Sequence, residues 1–513
     1  MNPGQKTLGR PLSRLLIASA IAAAFPAYAN DASEIEKLKA QIEELDQKLK
    51  ILGRKQELVN EDVAAKQKAA PTVTASDRGF GFKSQDGQFE YRLRGLVHVD
   101  YRHFEGDAFP DATNGFLARR IRPTFEGTVF GKYGFRFTPE FGENKANVID
   151  AYLDVREKPE AQIRIGKFKP FVGLERLQSG GDIKFIERSY VSNNILPNRD
   201  LGISLFGDVL ENKVNYAVGI FNGATDGGEN TTAQDLTSAK DFAARVFVTP
   251  FSNTDSALKG LGFGIAATVG NNKGSTTTDY RGRVSAISSG LSNYKTPGQA
   301  NTFYNFRSQI STTTAADNDF VVADGDRVRY TPQAYFYSGP FGLIAEYAQS
   351  TQSVRRYTAT TANTWTTTTG AATELKSTAW QLAGSWLLTG EDASFRGVKP
   401  YSPFKLGAEG GWGAVELVAR YQENKLDNDY AAFADKQRGY ALGARTFGVG
   451  LNWYLNQASK FAINYERTSF SNVTAASAAT TNSGGALYPG QVAKNPFQGN
   501  TEHFLVARYQ LSF

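Results

Sequence analysis

The sequence predicts an all-β protein: an antiparallel transmembrane β-barrel of about sixteen strands, preceded by an N-terminal coiled-coil helix. Three observations carry this. Many short segments alternate apolar and polar residues with period two. The connections between those segments alternate between long and short. A secretory leader opens a chain that offers no later run of about 20 apolar residues, the length a spanning helix needs.

The leader is read from Lys6, Arg10 and Arg14, an apolar run from Leu15 to Phe25, and the small-residue cleavage site Ala27-Tyr28-Ala29. Residues 1–29 are therefore expected to be a signal peptide, with the mature chain starting at Asn30. A secreted globular protein is the plain alternative. A barrel places the chain in the bacterial outer membrane.

Composition agrees. The absence of cysteine excludes a disulfide framework and a cysteine-based metal site. Phe 35, Tyr 23 and Gly 50 are high while hydrophobic residues make up only 41%, as expected when alternate residues face lipid. The formal charge is +6, and the leader holds three of those charges, leaving 6 − 3 = +3. That is too small to imply a nucleic-acid partner. No cofactor is expected.

The first mature segment, 30–63, is read as a periplasmic coiled coil. Ile35, Leu38, Ile42, Leu45, Leu49, Leu52 and Val59 repeat at 3-4 spacing among Glu and Lys, with Gln56 at the remaining core position. A lone amphipathic helix is the simpler alternative. Residues 64–78, with Pro71, read as a linker, and 79–513 as the barrel.

Amphipathic segments fall at 88–104, 115–130, 132–142, 147–156, 161–168, 200–208, 212–221, 240–250, 259–270, 327–338, 341–353, 374–389, 410–423, 439–455, 458–470 and 501–513. Odd-numbered connections are long, among them 169–199, 222–239, 271–326 and 471–500. Even-numbered ones are mostly tight, such as Gly131, Lys158-Pro159 and Asn456-Gln457. Bacterial barrels have this arrangement, with short periplasmic turns and long external loops. The long even connection 390–409 is the exception. The last segment alternates Leu505, Ala507, Tyr509, Leu511 and Phe513 with polar residues. Its terminal aromatic looks like the signal that outer-membrane barrels present to their insertion machinery.

Charged residues keep to one parity. Arg92, Arg94, Arg120, Arg122, Arg136, Asp150 and Arg164 oppose apolar neighbours such as Leu93, Ile121, Phe135, Ile149 and Ile163. Charge on a lipid face is costly, so this parity should line a wet lumen. Rings of arginine make anion pores, and guanidinium matches phosphate oxygens bidentately. Pairing with Asp100, Asp150, Asp154 and Glu126 is the competing, purely structural role. The third external connection, 169–199, carries Lys169, Arg176, Lys184, Arg188 and Arg199 with a Gly180-Gly181 turn. It is expected to fold inward and narrow the pore; an external cap is the alternative.

Several motifs then resemble the phosphate- and polyphosphate-selective porin O/P family. They are Arg119-Arg120-Ile121-Arg122, Gly166-Lys167-Phe168-Lys169-Pro170-Phe171, Glu187-Arg188-Ser189, Arg199-Asp200-Leu201-Gly202, Gly219-Ile220-Phe221-Asn222-Gly223, Pro400-Tyr401-Ser402-Pro403-Phe404 and the run from Gly413 to Tyr421. The resemblance runs from about residue 79 to 513. The resemblance implies sixteen-stranded homotrimers in outer-membrane lipid, an arginine ladder, a constriction built by the inward loop, and an inward periplasmic turn at 390–409. Carried over by position, the constriction involves Arg119, Arg120, Asp150, Arg176, Ser179 and Arg188. The family's phosphate-selective members are rich in lysine and serine here, whereas this loop has Arg176 and two glycines. Arg119 sits on the lipid parity of its strand and reaches the lumen only through a bulge.

The function expected is passive, anion-preferring uptake, with phosphate, polyphosphate or other small anions as cargo. A general or carbohydrate-type porin is the alternative, with Tyr335 and Tyr337 as the beginnings of an aromatic track. An enzyme is not expected, because the only histidines are His98, His103 and His503 and none sits in a nucleophile–base pattern.

Overall fold

The computed structural model describes residues 32–513 except 77–78, 106–111, 231–237, 279–283, 310–318, 362–363, 368–371, 408–409, 436–438 and 475–496. The expected leader lies outside the described residues.

The N-terminal unit is one helix, α1 (Ala32–Ala69). Glu34 stands in its first turn, where a carboxylate favours the exposed N–H groups. Every apolar residue of the heptad, from Ile35 to Val59, is exposed on it. The helix also covers the first part of the stretch read as a linker, and a strand, Thr72–Ser76, covers more of it. Ala64 to Ala69 is built of strong helix formers, and the turn ends only where Pro71 disfavours a helical residue before it.

The strand Thr72–Ser76 forms an antiparallel hairpin with Gly79–Lys83, which in turn pairs with the start of the first barrel strand. The barrel strands are β1 (Glu90–Glu105), β2 (Gly115–Val129), β3 (Tyr133–Glu140), β4 (Asn147–Lys158), β5 (Ala161–Phe168), β6 (Asp200–Val209), β7 (Val214–Phe221), β8 (Asp241–Val248), β9 (Leu261–Lys273), β10 (Asp319–Ser338), β11 (Phe341–Thr361), β12 (Thr373–Leu387), β13 (Ala414–Leu426), β14 (Tyr440–Tyr454), β15 (Ser459–Thr474) and β16 (Thr501–Ser512). Each pairs antiparallel with the next, and β16 closes on β1 from Ser512↔Leu96 to His503↔Glu105. Just past β16, Phe513 exchanges backbone hydrogen bonds of 2.9 and 3.0 Å with Gly95. Its ring lies where a side chain at residue 95 would be, 2.5 Å from an ideal Cβ, so any larger residue there would have to displace the ring.

Each expected segment coincides with one of these strands. Alternation sorts the two faces. Outward residues such as Phe116, Ile165, Val246 and Ile463 are exposed, while inward Asp100, Asp154, Arg329, Arg420 and Arg508 are buried. β10 and β11 run furthest past their expected ends. β10 begins at Asp319 and β11 reaches Thr361, because their pairing continues past a register shift between Ala323 and Arg327, where Gly325 takes φ 135°. The period-two pattern breaks at that bulge, which hid the continuation.

The third external connection lies inside the barrel. Residues 172–176 and 183–197 are buried apart from half-buried Asn193. Its backbone is tied to the wall at several points. Leu174 N–H donates to Glu346 at 2.6 Å, Ile186 N–H to Asn464 at 2.6 Å and Tyr190 N–H to Gln422 at 2.8 Å. Tyr190, Val191, Ile195 and Leu196 pack with Phe303, Tyr304 and Tyr430 from other external connections. The exceptional connection 390–409 meets the same segment. Phe395 stacks on Tyr335 with ring centroids 5.6 Å apart, and its carbonyl accepts from Gln178 at 2.8 Å.

Candidate functional site

The site grows from one irregularity in β2. His98 of β1 opposes Arg120, but the next residue, Val99, opposes Ala118. Arg119 is the extra residue of a β-bulge, which turns it off the lipid parity. Its guanidinium then reaches the buried carboxylate of Glu187 in the inward segment, Nε to Oε1 at 2.7 Å, and Glu143 at 2.9 Å. Arg102 of β1 also meets Glu187 at 2.7 Å, with Arg508 of β16 at 3.7 Å and Arg120 at 3.9 Å. Burial opposes the charge of Glu187, yet Arg119, Arg102 and Arg120 hold its carboxyl well below the usual range. This knot pins the segment to the barrel seam.

Arg120 also approaches His98, Nη1 to Nδ1 at 3.1 Å, while His98 Nε2 lies 3.0 Å from Gln510 Oε1. An arginine can only donate, so His98 must be neutral with its proton on Nε2.

Beyond the knot the sign of charge changes. Lys169 Nζ and Arg188 Nη2 both donate to the carbonyl of Gln178, each at 2.8 Å. Two cations therefore share one acceptor. Arg176 donates to the carbonyl of Ser192, and Arg188 Nε to that of Glu175 at 3.3 Å. Among the described residues, none of Lys169, Arg176 and Arg188 makes an ion pair. The nearby carboxylate of Glu175 is occupied by the Ser189 N–H and the hydroxyls of Ser189 and Ser192, at 2.7–2.9 Å.

The electrostatic consequence is strain between like charges. Burial, then Arg188 and Arg199, pushes Arg176 down to about 9. Burial and the neighbouring Arg122 and Arg199 outweigh the attraction of Glu175 and push Arg188 down to about 10. Lys169 is pushed well below the usual lysine value by burial and by Arg188 and Arg199. A cluster held this way is relieved by an anion, which supplies the missing opposite charge.

The sequence-derived residues divide into two sets. Arg92 faces Glu90, Arg94 lies 3.6 Å from Glu126, Arg136 pairs with the same Glu126, and Arg164 grips Asp154 at 2.7 and 3.0 Å. Arg164 also stacks over Tyr152 at 3.9 Å. These side chains of the expected ladder are matched by carboxylates. Arg122 pairs with Glu140 beside the inward segment. The Gly180 turn lies against the wall, where an added Cβ would be 3.6 Å from both Arg120 Cδ and an Arg122 nitrogen. Ser179 precedes that turn, is exposed to the lumen, and accepts from Gly181 N–H at 3.3 Å.

Arg188 neighbours Arg122 and Arg199, while Arg120 is approached by the glycine turn and Glu187. Asp150 is engaged by Arg199, at 2.9 and 3.4 Å. Sequence reasoning left Lys169, Glu187 and Arg199 out of the site, although all three lie within the motifs that carry the family resemblance. The carboxylate pairing of the wall arginines was legible only as an alternative.

The family of phosphate-selective porins O and P matches residues 89–486. Among solved structures, an anion-selective porin from Comamonas acidovorans is similar at 12% identity and TM-score 0.46, covering 83% of this chain and 100% of that one. The outer-membrane channel DcaP of Acinetobacter baumannii gives 12% identity and TM-score 0.45, with 84% and 99% covered. OmpT of Vibrio cholerae gives 9% and 0.45, with 86% and 100% covered. No curated protein matches. With more than half its length matched by one family and a closed barrel of sixteen strands, this chain is an outer-membrane porin and belongs to the phosphate-selective porin O and P family.

Proposed function

We propose that the protein is an anion-preferring channel whose constriction favours phosphate-type oxyanions. The observation that carries this is the group Lys169, Arg176 and Arg188, three cations on the inward segment without ion-pair partners among the described residues. Their side chains now donate to backbone carbonyls. A tetrahedral oxyanion offers several acceptors to the same donors and adds charge assistance. Arg122 and Arg199 flank the group with their charge already balanced, which favours many modest contacts over one trap. A reversal potential in a salt gradient tests the sign of selectivity: anion preference is expected, and cation preference excludes the reading.

A carbohydrate-type pore draws on a different observation, the aromatic group of Phe247, Tyr335, Tyr337 and Phe395, with neighbouring centroids 5.2–5.6 Å apart. Maltooligosaccharide block of the current separates the two readings. The exposed heptad of α1 supports a third element of the proposal, a coiled coil joining copies of the chain; Ile at a with Leu at d leans toward two strands, so the homotrimer rests on the family alone.

A further inference from the structure

The outer surface carries a line of charge on the parity that elsewhere meets lipid. Lys376 of β12, Lys425 of β13, Arg445 of β14 and Arg467 of β15 are all exposed. They share outward parity with Trp380, Tyr421, Phe447 and Tyr465 on the same four strands. The registers Thr378↔Lys425, Lys425↔Gly443 and Arg445↔Ser469 make each basic residue the diagonal neighbour of the next. Such neighbours are about 7–8 Å apart. All four lie toward the strand ends that carry the long external connections.

The line is only partly compensated. Glu423 lies within it and accepts from Arg445 Nε at 2.9 Å and Trp380 Nε1 at 3.3 Å. Asp427 stands across from Lys376 at the rim, where its carboxylate accepts the Lys376 backbone N–H at 2.9 Å, and Glu374 lies further out. Among the described residues, Lys376, Lys425 and Arg467 make no ion pair. On a lipid face an Arg or Lys costs about 2–4 kcal/mol at midplane and falls to about 0–1 near the interface. The aromatic band formed by Trp380, Tyr421 and Phe447 marks that interface, with Trp380 and Tyr421 rings 5.3 Å apart. Cations lined up there repel one another unless an anionic headgroup lies between them.

The geometry points to a binding surface for the phosphorylated headgroup of an outer-leaflet glycolipid. Arg445 and Arg467 supply forked donors for phosphate, Lys376 and Lys425 supply point charges above them, and the aromatic band takes the acyl chains. The inference rests on the outer-membrane location and not on the selectivity of the lumen.

The test uses the full chain in detergent with Kdo2-lipid A and its enzymatically dephosphorylated form, read by native mass spectrometry. The parent is expected to retain the phosphorylated lipid and to lose it at least about tenfold more readily after K376Q/K425Q/R445Q/R467Q. The dephosphorylated lipid should not distinguish the two proteins, and free inorganic phosphate should not displace the bound lipid. Unchanged single-channel conductance shows that the variant folds. Equal retention by parent and variant overturns the inference, as does displacement by free phosphate. A variant that changes oligomeric mass while keeping its lipid also overturns it, since the line is then a contact between subunits.

Discussion

Arg119 meets Glu187 at 2.7 Å only because β2 carries one residue more than β1 at that point. A bulge on the barrel wall thus sets the path of the segment that narrows the pore. Replacing Glu187 by Gln leaves Arg102, Arg119 and Arg508 without their shared counter-charge. Breaking a buried ion pair on one side costs about 3–5 kcal/mol. The E187Q barrel should therefore unfold at lower temperature on heated gels and show larger, noisier conductance as the segment leaves the wall. Parent-like conductance and heat stability would mean that Glu187 does not pin the segment.

Asp150 is bound to Arg199, so its removal frees a cation rather than emptying the pore. D150N is expected to raise the anion-to-cation permeability ratio by about two-fold or more, since a unit charge at 4 Å is worth about 1 kcal/mol even in water. A reversal potential shifting toward cation preference would show that Asp150 acts on the permeating ion in another way.

Lys169 sets a pH dependence. Burial, with Arg188 and Arg199 nearby, holds it well below the ordinary lysine value. A lysine with a lowered value loses its proton as pH rises through that value, at a lower pH than a surface lysine does. Anion selectivity in potassium chloride should therefore fall with rising pH before surface lysines titrate near 10.5. K169R should move the fall to higher pH, because a guanidinium holds its proton more tightly than an ammonium in the same surroundings. An identical profile in K169R would assign the titration elsewhere.

The heptad of α1 can be tested without background, because the chain has no cysteine. Leu49 occupies a core position and Gln47 an outer one. Under oxidation L49C should yield disulfide-linked pairs on non-reducing gels, while Q47C should remain single. Equal yields would leave the helix unpaired.

The barrel was legible because its physics is local. Alternation at Tyr91 to Arg94 or Ile163 to Ile165 needs only a wet face and a lipid face. Legibility ends where the pattern slips. The shift near Gly325 breaks the period, and only cross-strand pairing reveals the strand on its far side, whereas segment 115–130 was read straight across the bulge at Arg119. The inward fold of 169–199 was legible in outline from its length and apolar content. Which cations it leaves unpaired was not, because that depends on contacts such as Glu187 with Arg102, 85 residues apart in sequence. The line from Lys376 to Arg467 was unread because each residue alone is an ordinary rim charge.

The most direct test of the cationic constriction is phosphate block of chloride current in planar bilayers, compared across the parent, R188A and K295A. Lys295 lies on an external connection and is exposed, so K295A controls for charge outside the constriction. Saturable block is expected in the parent and K295A, with the half-blocking concentration raised about tenfold in R188A, the loss of one charge-assisted contact. Block that is absent from the parent, or the same in all three proteins, would contradict a phosphate-type site at Lys169, Arg176 and Arg188.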